Sequence, residues 1–123
     1  MQRFMPLLKA LADENRVRIV AALNGRELCV CQLTALFDLA TSTVSQHLAQ
    51  LRHAGLVAAR RRGKWVYYRR PAAGADPAVD ATLAYLDSLL GEDGQAHADI
   101  RRLKDICAVD PKVLCRTAPR SES

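Results

Sequence analysis

The residues best suited to chemistry in this chain are four cysteines, Cys29, Cys31, Cys107 and Cys115. The N-terminal stretch lacks the apolar core of a secretion signal, so the thiols point to metal or redox chemistry rather than to a structural disulfide framework. Cys29 and Cys31 flank a single valine. On a regular helix, at about 100° per residue, their side chains diverge by roughly 200°. Two sulfurs on one ion, with bonds of roughly 2.3 Å, must instead approach within about 4 Å. Sharing an ion therefore requires residues 29 to 31 to be extended, or the helix start to unwind. An ion that binds only the distorted arrangement has different affinities for two states, which is what allows a ligand to drive a switch. A helix N-terminus also lowers a thiol pKa and favours the thiolate. A soft ion held by three thiolates needs one more sulfur, and Cys107 and Cys115 are the candidates. The same distal thiols also read as incidental, or as partners of Cys29 or Cys31 in an oxidatively formed disulfide. Buried cysteine can also serve simply as a small apolar residue.

No nucleophile, base and orienting group stand together in the sequence, and no paired carboxylates do, so it makes no case for an enzyme. His47 and His53 have no partner at metal-ligand spacing and read as surface or nucleic-acid contacts. Trp65, Tyr67 and Tyr68 read as packing within a hairpin.

Charge supplies the second signal. Residues 41 to 70 hold seven basic residues (Arg52, Arg60, Arg61, Arg62, Lys64, Arg69 and Arg70) and no Asp or Glu, whereas the remainder of the chain sums to −2. Segregated positive charge is the footprint of a phosphate-binding face, whereas a merely solvated surface intersperses both signs.

The elements that must position these residues follow from periodicity and punctuation. At 123 residues with half of them apolar, the chain reads as one domain. A first helix is predicted over about Arg3 to Leu11, with Pro6 early enough to be tolerated. Asp13 is a natural N-cap for a second helix that buries Val17, Val20 and Leu23 and stops at Asn24-Gly25. Residues 31 to 39 read as a third helix with Leu33, Leu36 and Phe37 inward. The Ala40-Thr41-Ser42 step opens a fourth helix that runs to about Ala54. Two short helices joined by so tight a turn form a helix-turn-helix. Val44, Leu48 and Leu51 stripe one side of the fourth helix, leaving Ser42, Thr43, Ser45, Gln46 and Gln50 on an acid-free opposite face.

Gly55 ends that helix, and Leu56 to Arg61 and Lys64 to Arg69 read as two strands joined at Arg62-Gly63. The expected fold is mainly α with a β-hairpin wing, a winged helix-turn-helix. Ser42, Ser45, Gln46 and His47 are expected near bases, and Arg61, Arg62 and Lys64 near phosphates, of double-stranded DNA. After a Pro71 to Pro77 connector, Val79, Leu83, Leu86 and Leu90 stripe an acidic helix over residues 78 to 90. That stripe, with the first helix, is expected to form a two-fold homodimer interface, or else to close the monomer core. Residues 1 to 110 are taken as the DNA-binding and dimerisation domain and 111 to 123 as a C-terminal tail. No apolar run approaches a membrane span, so a soluble cytoplasmic protein is expected.

The run Glu27-Leu28-Cys29-Val30-Cys31-Gln32-Leu33, then Ser42-Thr43-Val44-Ser45-Gln46-His47-Leu48 and Gly63-Lys64-Trp65-Val66-Tyr67-Tyr68, resembles the ArsR/SmtB family of metal-responsive repressors. Leu11-Ala12-Asp13-Glu14-Asn15-Arg16 adds to the resemblance, which covers residues 5 to 70. It implies a homodimer that binds a dyad-symmetric operator until a metal or metalloid ion releases it. The Cys29-Val30-Cys31 pair is similar to the sensor of the arsenic and antimony type, which implies As(III) or Sb(III) as inducer and no organic cofactor. In that type a third cysteine often follows one helical turn later, at the position held here by Thr34. The pair also resembles half of a cadmium and lead sensor, whose further cysteines lie in an N-terminal extension that is not seen here. The zinc type needs an Asp-x-His pattern that His97 alone does not supply. A thiol-based redox or sulfide sensor of the same fold is the competing reading, and a constitutive DNA- or RNA-binding module with inert thiols is a third.

Overall fold

In the computed structural model, which describes residues 2 and 4–117, the helical scaffold starts from a cap. Asp13 has extended backbone, and its carboxylate accepts the N–H groups of Asn15 at 2.8 Å and Arg16 at 3.3 Å. It thereby satisfies donors that the first turn of a helix leaves without intrahelical partners. The expected start at Arg3 lies outside the described residues. Helix α1 covers Met5–Ala10 with Pro6 in its first turn, and α2 covers Glu14–Ala22. Ile19 and Val20 are fully buried in α2, but Val17 is only half-buried, because it lines a cleft beside a later helix.

The next segment differs from expectation in a way that matters for the thiols. A two-residue strand β1, Leu28–Cys29, precedes α3, Val30–Leu36, so the helix begins one residue early and ends before Phe37, whose backbone is extended. Helix α4, Thr41–Ala54, buries Val44, Leu48 and Leu51 completely, as the stripe predicts. Each such side chain contributes on the order of 1.5–3 kcal/mol. Gly55 ends α4 in the left-handed region at φ 86°, and the N–H of Leu56 closes back on the carbonyl of Leu51 at 3.0 Å.

The hairpin forms, with β2 at Ala58–Arg62, shifted toward the turn, and β3 at Trp65–Arg69, one residue shorter than expected at its start. Leu56 and Val57, expected in the first strand, are buried core residues just before it. The sheet has strand order β1-β3-β2 and is antiparallel throughout, so β3 is central.

Helix α5 covers Pro77–Leu90. Val79 and Leu83 are buried and Leu86 packs against the core, so this part of the predicted dimer stripe instead closes the protomer. The physical reason is cover. Val79 Cγ2 lies 3.9 Å from where a Cβ would stand if Gly55 carried a side chain, over the end of α4. The large apolar side chains left exposed on α5 are Tyr85 and Leu89.

Two further helices carry the chain back to α3. Helix α6, Gly94–Cys107, starts at Asp93, whose carboxylate accepts the N–H of Ala96 at 2.9 Å. It buries Leu103 and Ile106, and its buried Asp99 forms a bidentate pair with Arg18 of α2 at 2.9 and 2.9 Å. The stretch expected as a tail contains helix α7, Pro111–Thr117, which packs on α3.

Candidate functional site

Helix α4 presents Gln46 and Gln50 to solvent, while Ser42, Thr43, Ser45 and His47 are half-buried. His47 is held from behind. Arg16 brings Nη1 to 3.4 Å from its Nδ1 while donating Nε to the carbonyl of Ala10 at 2.7 Å. Arg16 also lies 3.9 Å from the Asp13 carboxylate, so one guanidinium ties the α1 terminus and the α2 cap to the exposed helix. Burial alone would push the Asp13 carboxyl up. The N–H groups of Arg16 and Asn15, with the charges of His47 and Arg16, outweigh this and hold it below its ordinary value. This positioning role of Arg16 had no signal in the sequence beyond the run from Leu11 to Arg16.

The seven basic residues of the 41–70 segment divide sharply. Arg61 and Lys64 are exposed at the wing tip, where Arg61 Nε donates to the carbonyl of Gly63 at 3.2 Å. Arg62 is exposed but lies over the Tyr67 ring, 5.4 Å from its centroid. Arg60 is bound by Glu27. Arg70 points inward, donating to the carbonyl of Val20 at 3.0 Å and pairing with Asp87 at 2.8 and 2.8 Å. Arg70 therefore anchors the wing base to α2 and α5. The electropositive surface left for a polyanion consists of α4, the wing tip and the exposed Arg52 and Arg69.

Cys29 and Cys31 straddle an element boundary. Cys29 closes β1 with extended backbone at φ −87° and ψ 168°, and it is the N-cap of α3, whose second residue is Cys31. Gln32 reaches back to accept the Cys29 N–H at 3.0 Å, which fixes the turn between the two thiols. Half of the geometric requirement for two sulfurs on one ion, extended backbone at residue 29, is thus built in.

Helix α7 brings Cys115 to the same helix start. Cys31 and Cys115 are joined as a disulfide across 84 residues of sequence, with 5.2 Å between their Cα atoms. Cys29 is a buried free thiol and Cys107 an exposed one. Of the two distal cysteines, Cys115 and not Cys107 is brought to the Cys29–Cys31 segment. No group of three or more Cys, His, Asp or Glu is gathered for a metal ion among the described residues. Thr34, one turn past Cys31, is buried, and its Oγ1 finds no hydrogen-bond partner among the described residues. His97 Nε2 lies 2.7 Å from the carbonyl of Gly91, a local contact at the start of α6. No helix among the described residues is long and apolar enough to cross a membrane.

Comparison with known proteins agrees with this geometry. A family profile described as bacterial regulatory protein, arsR family, matches residues 13–59. The chain is 51% identical over 65 residues to the arsenic resistance transcriptional regulator ArsR1 of Pseudomonas putida, covering 51% of this chain and 50% of that protein. It is 38% identical over 113 residues to the arsenical resistance operon repressor of Escherichia coli, covering 89% of this chain and 92% of that one. A cadmium resistance regulatory protein, CadC of Listeria innocua, is 46% identical over 61 residues, 49% of this chain and 51% of that one. The matches therefore span about half the length of the first and third of these relatives and nearly all of the second.

Among solved structures, HlyU of Vibrio cholerae matches with a TM-score of 0.64 at 35% identity, covering 74% of this chain and 95% of that one. A winged helix-turn-helix domain from Mycobacterium bovis, described as homodimeric, matches with a TM-score of 0.62 at 30% identity, covering 74% and 81%. The fold is a winged helix-turn-helix, and the chain belongs to the arsR family of bacterial regulatory proteins, a family of transcriptional regulators and not of enzymes.

Proposed function

We propose that this protein is a cytoplasmic homodimeric repressor that binds a dyad-symmetric operator through α4 and the wing, and that trivalent arsenic or antimony releases it. The carrying observation is the meeting of α3 and α7. Cys115 stands at bonding distance from Cys31, and Cys29 is two residues away at the cap of the same helix. These three cysteines supply the donor set a soft trigonal ion prefers, whereas Cys107 sits exposed at the end of α6. The relatives named for arsenic resistance support the choice of ion over the cadmium alternative, because they include the one that matches along most of its length.

The loading step leaves arsenic in its trivalent state. Three reduced thiols replace the three hydroxyls of arsenous acid, each sulfur giving up its proton and each hydroxyl leaving as water. Cys31 and Cys115 must first be reduced, since a disulfide has no thiolate to offer; an external dithiol supplies the two electrons and two protons that open the S–S bond and is itself oxidised to a disulfide. Release follows from where the ligands sit. Cys29 belongs to a strand hydrogen-bonded to the wing, whereas Cys31 belongs to the helix that packs on α4. Drawing the Cys29 sulfur toward Cys31 and Cys115 shifts the wing relative to the recognition helix, and only the apo arrangement fits DNA.

Homodimerisation is supported by Phe4 beside α1, by Leu8 on it, and by Tyr85 and Leu89 on α5, all large apolar side chains left exposed. The test is operator-DNA anisotropy on the reduced protein with arsenite added. Release supports the reading, and unchanged binding at saturating arsenite contradicts it. The disulfide itself favours one competitor, a redox-sensing repressor. That reading predicts release by oxidant alone and none by arsenite on fully reduced protein.

A further inference from the structure

Side chains alternate along a strand, so Arg60 and Arg62 of β2 share one face and Arg61 occupies the other. The fold brings a carboxylate to the shared face. Glu27, just before β1, receives Arg60 Nε at 2.6 Å and Arg60 Nη2 at 2.8 Å, and its Oε1 lies 3.9 Å from Arg62 Nη1. The sheet register accounts for this reach. Arg60 stands opposite Tyr67, and Tyr67 stands opposite Cys29, so the three share one face across the sheet. Glu27, two residues before Cys29, falls on the same face. The segment from 41 to 70 has no acid of its own, and Glu27 enters its field only through folding.

Two features make this pair more than an incidental surface contact. Glu27 meets Arg60 in the bidentate, side-on mode that an arginine also uses for a phosphate. A phosphate approaching the same guanidinium edge would meet the Glu27 carboxylate, which already fills it through two hydrogen bonds. The Arg60 guanidinium holds the Glu27 carboxyl below its ordinary value, so the carboxylate stays charged wherever DNA binding is measured.

We propose that Glu27 is an internal phosphate mimic that occupies Arg60 and withholds it from DNA, leaving Arg61 and Lys64 to make the wing's phosphate contacts. The proposal rests on the DNA-binding part of the function given above, not on the choice of ion.

The test compares the full-length wild type with Glu27→Gln, Arg60→Gln and the double variant on an unrelated double-stranded DNA fragment, across a series of salt concentrations. Glu27→Gln should bind more tightly and steepen the slope of log affinity against log salt by about 0.9, the increment for one newly engaged phosphate. Adding Arg60→Gln should remove that increment and return the slope to the wild-type value. Glu27→Ala repeats the first arm with the side chain truncated, and circular dichroism confirms that each variant is folded. An unchanged slope in Glu27→Gln overturns the proposal. So does weaker binding with a shallower slope, which would show that Glu27 orients Arg60 toward DNA. A wild type with no salt-dependent DNA binding would overturn the DNA-binding reading itself and this proposal with it.

Discussion

Cys29 stands directly opposite Tyr67 in the antiparallel ladder between β1 and β3, so this thiol is part of the wing sheet. Cys31, two residues on, is inside α3 and moves with the helix-turn-helix. Under the proposed function, an ion gripped by both would brace the wing sheet against the helix-turn-helix. The backbone between them is a single valine, so no slack chain absorbs the displacement.

The wing tip should dominate the salt dependence. Arg61→Ala and Lys64→Ala should each weaken binding to all sequences and flatten the salt slope by about 0.9. Titrations at several salt concentrations read this directly, and an unchanged slope in both variants would remove the wing from the interface.

Removing the α2 cap should cost stability and the anchor of Arg16. Asp13→Ala should lower the unfolding free energy by about 1 kcal/mol. The Asp13 carboxyl is depressed in the folded state, so its stabilisation is complete above its ordinary value of 3.8 and fades as pH falls through the lower folded value. Denaturant melts should therefore separate wild type from Asp13→Ala near neutral pH and bring them together in strong acid.

The dimer face should lie on exposed side chains rather than on the buried stripe. Leu89→Asp or Tyr85→Asp should shift sedimentation toward monomer with the protomer still folded. A charge at buried Leu83 should instead unfold the chain, at a cost of several kcal/mol. Full dimer in both exposed variants would place the interface elsewhere.

Thr34 links stability to the thiol site. Its buried hydroxyl has no partner among the described residues, a cost on the order of 1–3 kcal/mol, so Thr34→Val should be neutral or stabilising in thermal melts. Thr34→Cys should restore arsenite response to a Cys115→Ser protein, because it offers the third sulfur one turn from Cys31. Failure of that rescue in a folded, DNA-binding double variant would count against a three-thiolate site.

The helix-turn-helix was legible because its signals are local: the Asp13 cap, the Val44, Leu48 and Leu51 stripe, and Gly55. What escaped was non-local or short. Strand β1 has two residues, too few for any alternation to show, and its partner Tyr67 is 38 positions away. Helix α6 was hidden because its cap, Asp93, stands between two glycines, Gly91 and Gly94, a residue type that interrupts a helical pattern more often than it opens one. The α5 stripe shows the limit of periodicity. It marks which face is apolar but not whether Val79 and Leu83 meet a second chain or the end of α4. Of the proposed thiol site, Cys29-Val30-Cys31 is a local pattern, whereas the pairing of Cys31 with Cys115 depends on how α7 packs on α3.

The most direct test of the central claim is arsenite-driven release of operator DNA, followed by anisotropy, from reduced Cys115→Ser and Cys107→Ser proteins. The operator can be selected by the wild-type protein from random duplexes. The account predicts that both variants bind it as the wild type does, that Cys107→Ser releases normally, and that Cys115→Ser fails to release, as do Cys29→Ser and Cys31→Ser. Normal release from Cys115→Ser, from Cys29→Ser or from Cys31→Ser would contradict it.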